Sequence, residues 1–340
     1  MQSTKRSRMA VEGGMGIAPA PARAGDLGRA LDQVRLGNRH PLRLALRVIA
    51  LAWIVFFWVW LIGIQATFVE VDAGAYWGFD LATLYDGVRL GDQDAFLYSP
   101  VVAWLFAPFS ALPFEVFYAL LAAVNLAALV WLLGPELGAL SLFFLPVSNE
   151  VARGNIHLLL AVAIVLGFRY PASWAWVLLT KLTPGVGLLW FALRREWRQL
   201  GTALAVTSAI VAITFVIDPG LWLGWLRMLA ANVETTRPSF LEVPVLPRLA
   251  LAVGLIALGA RRNRPAIVPV AAMLALPGVW VNSLAMLVAV VPLWRWPQRF
   301  PNGKTETSLQ PVATAGGGRA PDPMAEGTSA DLNSRSSIRK

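Results

Sequence analysis

From Leu44 to Gln65 the chain is apolar at every position except Arg47, Gly63 and the closing Gln65. At roughly 20 residues the run is as long as an α-helix needs to cross the hydrocarbon core of a bilayer. Further apolar segments follow at about 98–112, 114–133, 137–149, 155–170, 172–192, 200–217, 243–260, 265–280 and 281–294. Several fall short of the roughly 17 residues that a full span requires, and many contain Pro, so tilted, broken or re-entrant helices are expected among them. Of all residues 57% are hydrophobic and 14% charged, against about 45–50% and about 25% in soluble domains. A water-soluble fold has no place for that much apolar surface. The sequence predicts an all-α polytopic membrane protein of about ten transmembrane or re-entrant helices.

Charge orients it. Residues 1–47 hold nine Lys or Arg against three acids, whereas 66–97 holds six acids (Glu70, Asp72, Asp80, Asp86, Asp92 and Asp94) against Arg89 alone. By the positive-inside rule the N-terminal arm, 1–44, is cytoplasmic and 66–97 is the first external loop. The clusters Arg194–Arg195–Arg198, Arg261–Arg262–Arg264 and Arg295 with Arg299 fall inside if both termini are cytoplasmic. This leaves a transmembrane domain over 45–297, a second external loop at 218–242, and a polar, Gly- and Ser-rich cytoplasmic tail over 298–340. The expected location is the plasma membrane. The net charge of +9 would suggest nucleic acid in a soluble protein, but here it belongs to the arm and short loops, so membrane lipids and not nucleic acid are the expected partners. With no Cys, and only His40 and His157, thiolate chemistry is excluded and a His-based metal site is not expected.

Chemistry must therefore come from loops and helix ends at the membrane surface. In the first external loop Asp72 lies close behind the first span and is followed by Tyr76 and Trp77, an aromatic and carboxylate grouping suited to sugars; a carboxylate there can take a proton from a hydroxyl nucleophile. A solvated acidic loop with aromatics resting at the interface would have the same composition. Lys181 is an ionisable residue in an apolar segment, a costly placement that marks a functional site. Thirteen residues from Arg194, it is expected to reach the external boundary by snorkelling, where a lipid phosphate lies, and Pro184 should weaken the helix beside it. Arg153, Asn155 and His157 form a third polar group, either a cytoplasmic loop or the tip of a re-entrant hairpin in a polar cavity.

Taken in order, the acidic loop closing on Tyr98-Ser-Pro100, Trp104 to Pro108, Gly154-Asn155, Lys181-Leu-Thr-Pro184 and Arg194-Arg195-Glu-Trp197 resembles glycosyltransferase family 87, over about residues 45–295. Members are polyprenyl-phosphate-mannose-dependent mannosyltransferases of the GT-C fold and their relatives. The resemblance implies a GT-C-like bundle that moves a hexose, mannose by analogy, from a polyprenyl-phosphate carrier to a glycolipid or glycan acceptor, with inversion and without metal or other cofactor. Asp72 matches the family's catalytic base, and Lys181 the lysine that meets the donor phosphate. Tyr76, Trp77, Tyr98, Arg153, Asn155, His157, Arg237 and Ser239 are the further candidates for substrate binding. The sequence departs from the family pattern at Ser99, in place of a Pro; at Gly154-Asn155-Ile-His157, in place of Gly-Gln-x-Asn; and at Arg237-Pro-Ser239, in place of Asn-Gln-Ser. Asn282 stands where the pattern has a histidine; it can hydrogen-bond a phosphate but cannot carry charge. An inactive lipid-binding scaffold, or a lipid or solute transporter, is the alternative.

Overall fold

A computed structural model of the protein describes residues 39–64, 72–89, 92, 95–232 and 243–295. Most of the N-terminal arm, the whole C-terminal tail, Arg237 and Ser239 lie outside the described residues. Among those described, every regular element is helical. Among the described residues, three helices are individually long and apolar enough to cross a membrane: Pro41–Ile64 within the first helix, Phe114–Leu133 and Trp197–Ile217. The protein is an all-α polytopic membrane protein, with many of its other segments built from short helices in tandem.

Helix α1 (Arg39–Ile64) buries Ala50, Ile54, Phe57 and Leu61, a stripe at helical spacing. Val48, Val55, Phe56 and Val59 on its other faces are exposed, as lipid contact requires. A short helix α2 (Pro100–Phe106) with a 3-10 extension to Ala111 precedes α3 (Phe114–Leu133) and α4 (Pro135–Ser141). Trp58 Nε1 donates to the Ala119 carbonyl at 2.9 Å and Arg47 Nε to Glu136 Oε1 at 2.9 Å. Late residues of α1 thus meet early residues of α3, and early residues of α1 meet α4, so α3 returns the chain antiparallel to α1. The expected segment 98–112 does not cross. Tyr98 touches Tyr76, and the Leu112 carbonyl accepts from Trp77 Nε1 at 2.9 Å, so both its ends sit at the Asp72 end of the molecule.

Helices α5 (Leu145–Arg153) and α6 (His157–Gly167) meet at a 108° bend. Gly154 makes the bend possible: its φ of +65° is in the left-handed region, and a Cβ there would stand 2.7 Å from Ala73 Cβ, closer than a side chain tolerates. Beyond α7 (Trp174–Thr180) the chain leaves helical geometry at Lys181 and resumes as a 3-10 turn, Thr183–Leu188, before α8 (Leu189–Leu193). Pro184 is the cause, since it has no N–H to continue the ladder. Helix α9 (Trp197–Ile217) buries only Ala203 and is peripheral. The segment expected as a second external loop contains α10 (Pro219–Ala231), started by Asp218, whose carboxylate accepts from Leu221 N at 2.9 Å. Trp225 at its middle and Asn232 at its C-terminal end bond the carbonyls of Leu97 and Val88.

Helices α11 (Val245–Arg261) and α12 (Ile267–Leu274) pack together and lead to a nine-residue 3-10 helix, Val281–Ala289, and α13 (Val290–Trp294). Such a long 3-10 run is uncommon. It lies against α5 and α6, and its approach is braced by Arg248. That buried guanidinium donates to the carbonyls of Leu274, Leu276 and Pro277 at 2.7–3.0 Å, which the end of α12 leaves unpaired.

Candidate active site

The described part of the segment expected as the first external loop is not a solvated strap. Tyr76, Leu84, Tyr85 and Phe96 are buried and pack with Phe106, Phe117, Leu221 and Met228 in a core of their own. That core seats a 3-10 turn, Asp72–Tyr76, whose Ala73 rests on Gly154. The close approach brings Asp72 onto the bend between α5 and α6. Arg153 Nη2 donates to Asp72 Oδ1 at 3.0 Å, while Oδ2 accepts from Arg153 Nε at 3.2 Å, Asn155 Nδ2 at 2.7 Å and Asn282 Nδ2 at 3.2 Å. A fork of this kind fixes the carboxylate in one plane. The pair is still accessible, with side chains 28% (Asp72) and 39% (Arg153) exposed.

Asn155 is itself held from three sides. Its Oδ1 accepts from Ile156 N at 2.7 Å and from the Tyr76 hydroxyl at 3.4 Å, and its carbonyl accepts from Asn125 Nδ2 at 2.9 Å. The Tyr76 and Tyr98 hydroxyls are 2.6 Å apart. Burial pushes both phenols well above the ordinary tyrosine range, so they stay neutral and one donates to the other.

A second group adjoins the first. His157 Nδ1 lies 2.9 Å from Glu150 Oε2, the His157 backbone N–H donates to Glu150 Oε1, and His157 Nε2 lies 2.8 Å from Lys181 Nζ and 3.4 Å from Ser283 Oγ. The Lys181 ammonium also stands 5.9 Å from the centre of the Tyr98 ring, within range of a cation–π attraction. Ser99 explains why Lys181 points this way. Its hydroxyl, buried at the start of α2, donates to the Leu179 carbonyl at 2.6 Å, and so ties the frayed end of α7 to the loop core.

Asp72, Tyr76, Tyr98, Arg153, Asn155, His157, Lys181 and Asn282 are therefore neighbours, drawn from the loop, the α5–α6 bend, the α7 break and the 3-10 helix. The alternative in which Arg153, Asn155 and His157 form a loop remote from Asp72 is excluded by their contacts. Two expectations about Lys181 are corrected. Lys181 sits at a helix break rather than within a helix, and its amine turns inward to His157 rather than snorkelling outward, because Glu150 and His157 give it a polar partner. Trp77 is turned toward Leu112 and stacks edge-on with Phe114 at 5.3 Å, anchoring the loop. Asn282, expected to meet a phosphate, here donates to Asp72. Glu150 and Ser283 join the group without being singled out by the sequence. The signal for Glu150 was an acid seven residues before a histidine in an apolar stretch, two residues whose pairing is visible only once the chain bends at Gly154.

No curated protein and no solved structure matches the chain. The family model of glycosyltransferase family 87 matches residues 96–309, which begins beyond Asp72 but takes in Tyr98, Arg153, Asn155, His157, Lys181 and Asn282. A match over more than half the chain, on a membrane bundle that gathers these side chains at one end, makes this protein a member of glycosyltransferase family 87.

Proposed function

We propose that the protein transfers a hexose, mannose in the first instance, from a polyprenyl-phosphate carrier to a glycolipid or glycan acceptor, at the extracytoplasmic face of the plasma membrane and with inversion. Asp72 is the base and Lys181 meets the donor phosphate. The observation that carries this reading is the convergence of an accessible carboxylate and an ammonium, 109 positions apart in the sequence, on one polar centre in a membrane bundle. Each carboxylate oxygen has two lone pairs. Oδ1 of Asp72 accepts one hydrogen bond from Arg153 among the described residues, so its second lone pair is the place for the acceptor's proton. As that O–H bond breaks, the acceptor oxygen forms a bond to the anomeric carbon, the bond from carbon to phosphate oxygen breaks, and the electron pair leaves on polyprenyl phosphate. Charge growing on that phosphate is stabilised by the Lys181 ammonium. The donor's chain stays in the bilayer, which accounts for an enzyme without a soluble domain among its described residues.

The test is release of polyprenyl phosphate from labelled polyprenyl-phosphate-mannose by purified protein. Asp72→Asn cannot take the proton and should lose roughly 100-fold or more in turnover with donor affinity little changed. Wild-type turnover in the variant would remove Asp72 from the role. A second reading, a lipid-binding member without turnover, is favoured by the four donors already placed on Asp72 and by Asn282 in the histidine position. It predicts donor binding without release, and recovery of turnover in Asn282→His.

A further inference from the structure

Glu150 is the most deeply buried acid of the described chain, with no exposed surface, and it carries no part in the transfer as drawn above. Its partner His157 is 1% exposed. An ionised carboxylate accepts hydrogen bonds and donates none, so the hydrogen between Glu150 Oε2 and His157 Nδ1 belongs to the imidazole. Its other oxygen is occupied by the His157 backbone N–H. A neutral imidazole with Nδ1 protonated presents a bare lone pair at Nε2, and Lys181 Nζ stands 2.8 Å from that nitrogen. The ammonium has three hydrogens. One is taken up by Nε2, which fixes the direction of the lysine side chain and leaves two for a ligand. In the opposite tautomer an N–H would face the ammonium and drive it away.

Resting on the assignment of Lys181 to the donor phosphate, we infer that Glu150 is a positioning residue: through the tautomer it imposes on His157 it holds the Lys181 ammonium toward a phosphomonoester or phosphodiester headgroup. The charges agree with this role, because a buried carboxylate and an ammonium separated by one imidazole compensate each other without direct contact, and the cation remains available to an anion from the membrane. Glu150 also caps the first N–H of α6, which a purely structural residue would do as well. The tautomer separates the two roles.

The chain has only two histidines, so ¹⁵N-histidine labelling of the full-length protein gives two ring systems, and His40→Gln assigns them. Wild-type His157 is expected as the neutral Nδ1–H form, with its Nε2 resonance moving on titration with farnesyl monophosphate. A Nε2–H form, or no movement at saturating phosphate, overturns the inference without any substitution within the polar centre. Glu150→Gln has one acceptor oxygen for two N–H groups and should abolish the tautomer preference and weaken farnesyl monophosphate binding about tenfold. Unchanged binding in Glu150→Gln while Lys181→Met loses it would overturn the positioning role alone. Unchanged binding in Lys181→Met would instead overturn the phosphate assignment on which it rests.

Discussion

Replacing Gly154 by Ala adds a single methyl group at a point where the turn Asp72–Tyr76 is pressed onto the bundle. Two costs follow from the geometry. The φ of +65° disfavours any L-residue by roughly 1–2 kcal/mol. The new Cβ would also lie 2.7 Å from Ala73 Cβ where ordinary contact begins at 3.4 Å, so the 3-10 turn must retreat by about 0.7 Å, the difference of the two. Asp72 is the residue next to Ala73 and moves with it. A misplacement approaching 1 Å can cost about 100-fold in rate, so Gly154→Ala should lose turnover of that order while unfolding at a moderately lower temperature. The double variant with Ala73→Gly removes the colliding methyl; the next contacts of the new Cβ, Leu121 Cδ2 at 3.5 Å and Ala73 Cα at 3.6 Å, are ordinary ones. Turnover should then recover most of the way, whereas stability should not, because the backbone penalty remains. Release of polyprenyl phosphate and thermal unfolding in detergent measure the two effects separately. Full activity in Gly154→Ala, or a double variant no better than the single, would refute the claim that this contact places Asp72.

Arg248→Met leaves three carbonyls at the end of α12 without donors and should destabilise the protein by about 3 kcal/mol, read as a fall in unfolding temperature; a stability within experimental error of wild type would show that water substitutes for the guanidinium. Ser99→Ala removes the hydroxyl from the Leu179 carbonyl and should cost about 1–2 kcal/mol together with weaker farnesyl monophosphate binding, since the Lys181 break is tied there; equal phosphate affinity would separate Ser99 from the lysine. A cysteine at exposed Asp80, in a chain without native cysteine, should react with an impermeant maleimide from outside intact cells. Reaction only after permeabilisation would reverse the proposed orientation.

The membrane class was legible because apolar runs of spanning length have no other physical use, and the three long spans lie close to where the runs predicted them. Segment 98–112 looked like a further span by composition, but its short helix and 3-10 turn stay at one end of the bundle, and only the partners of Tyr98 and Leu112 reveal that. Asp72 and Lys181 stood out as ionisable groups near or within apolar sequence. Glu150 and Ser283 did not, because their meaning depends on the direction of a 108° bend set by one glycine. Trp77 illustrates another limit: an indole beside a candidate base suggests a sugar platform, and that its N–H bonds the Leu112 carbonyl is visible only in the fold.

Asp72 and Asn282, which share a hydrogen bond, are 210 residues apart, and that separation sets an order of assembly. At roughly 5–20 residues per second, about 10 to 40 s pass between synthesis of the first partner and of the last. Over that interval the Asp72 carboxylate has Arg153 and Asn155 within reach of completion but not Asn282, while Arg248 waits for the carbonyls of residues made after it. The polar centre closes only when the final 3-10 helix docks against α5 and α6. A chain that stops before Val281 would therefore carry the three described helices long and apolar enough to cross a membrane and still lack the Asn282 and Ser283 side of the candidate site.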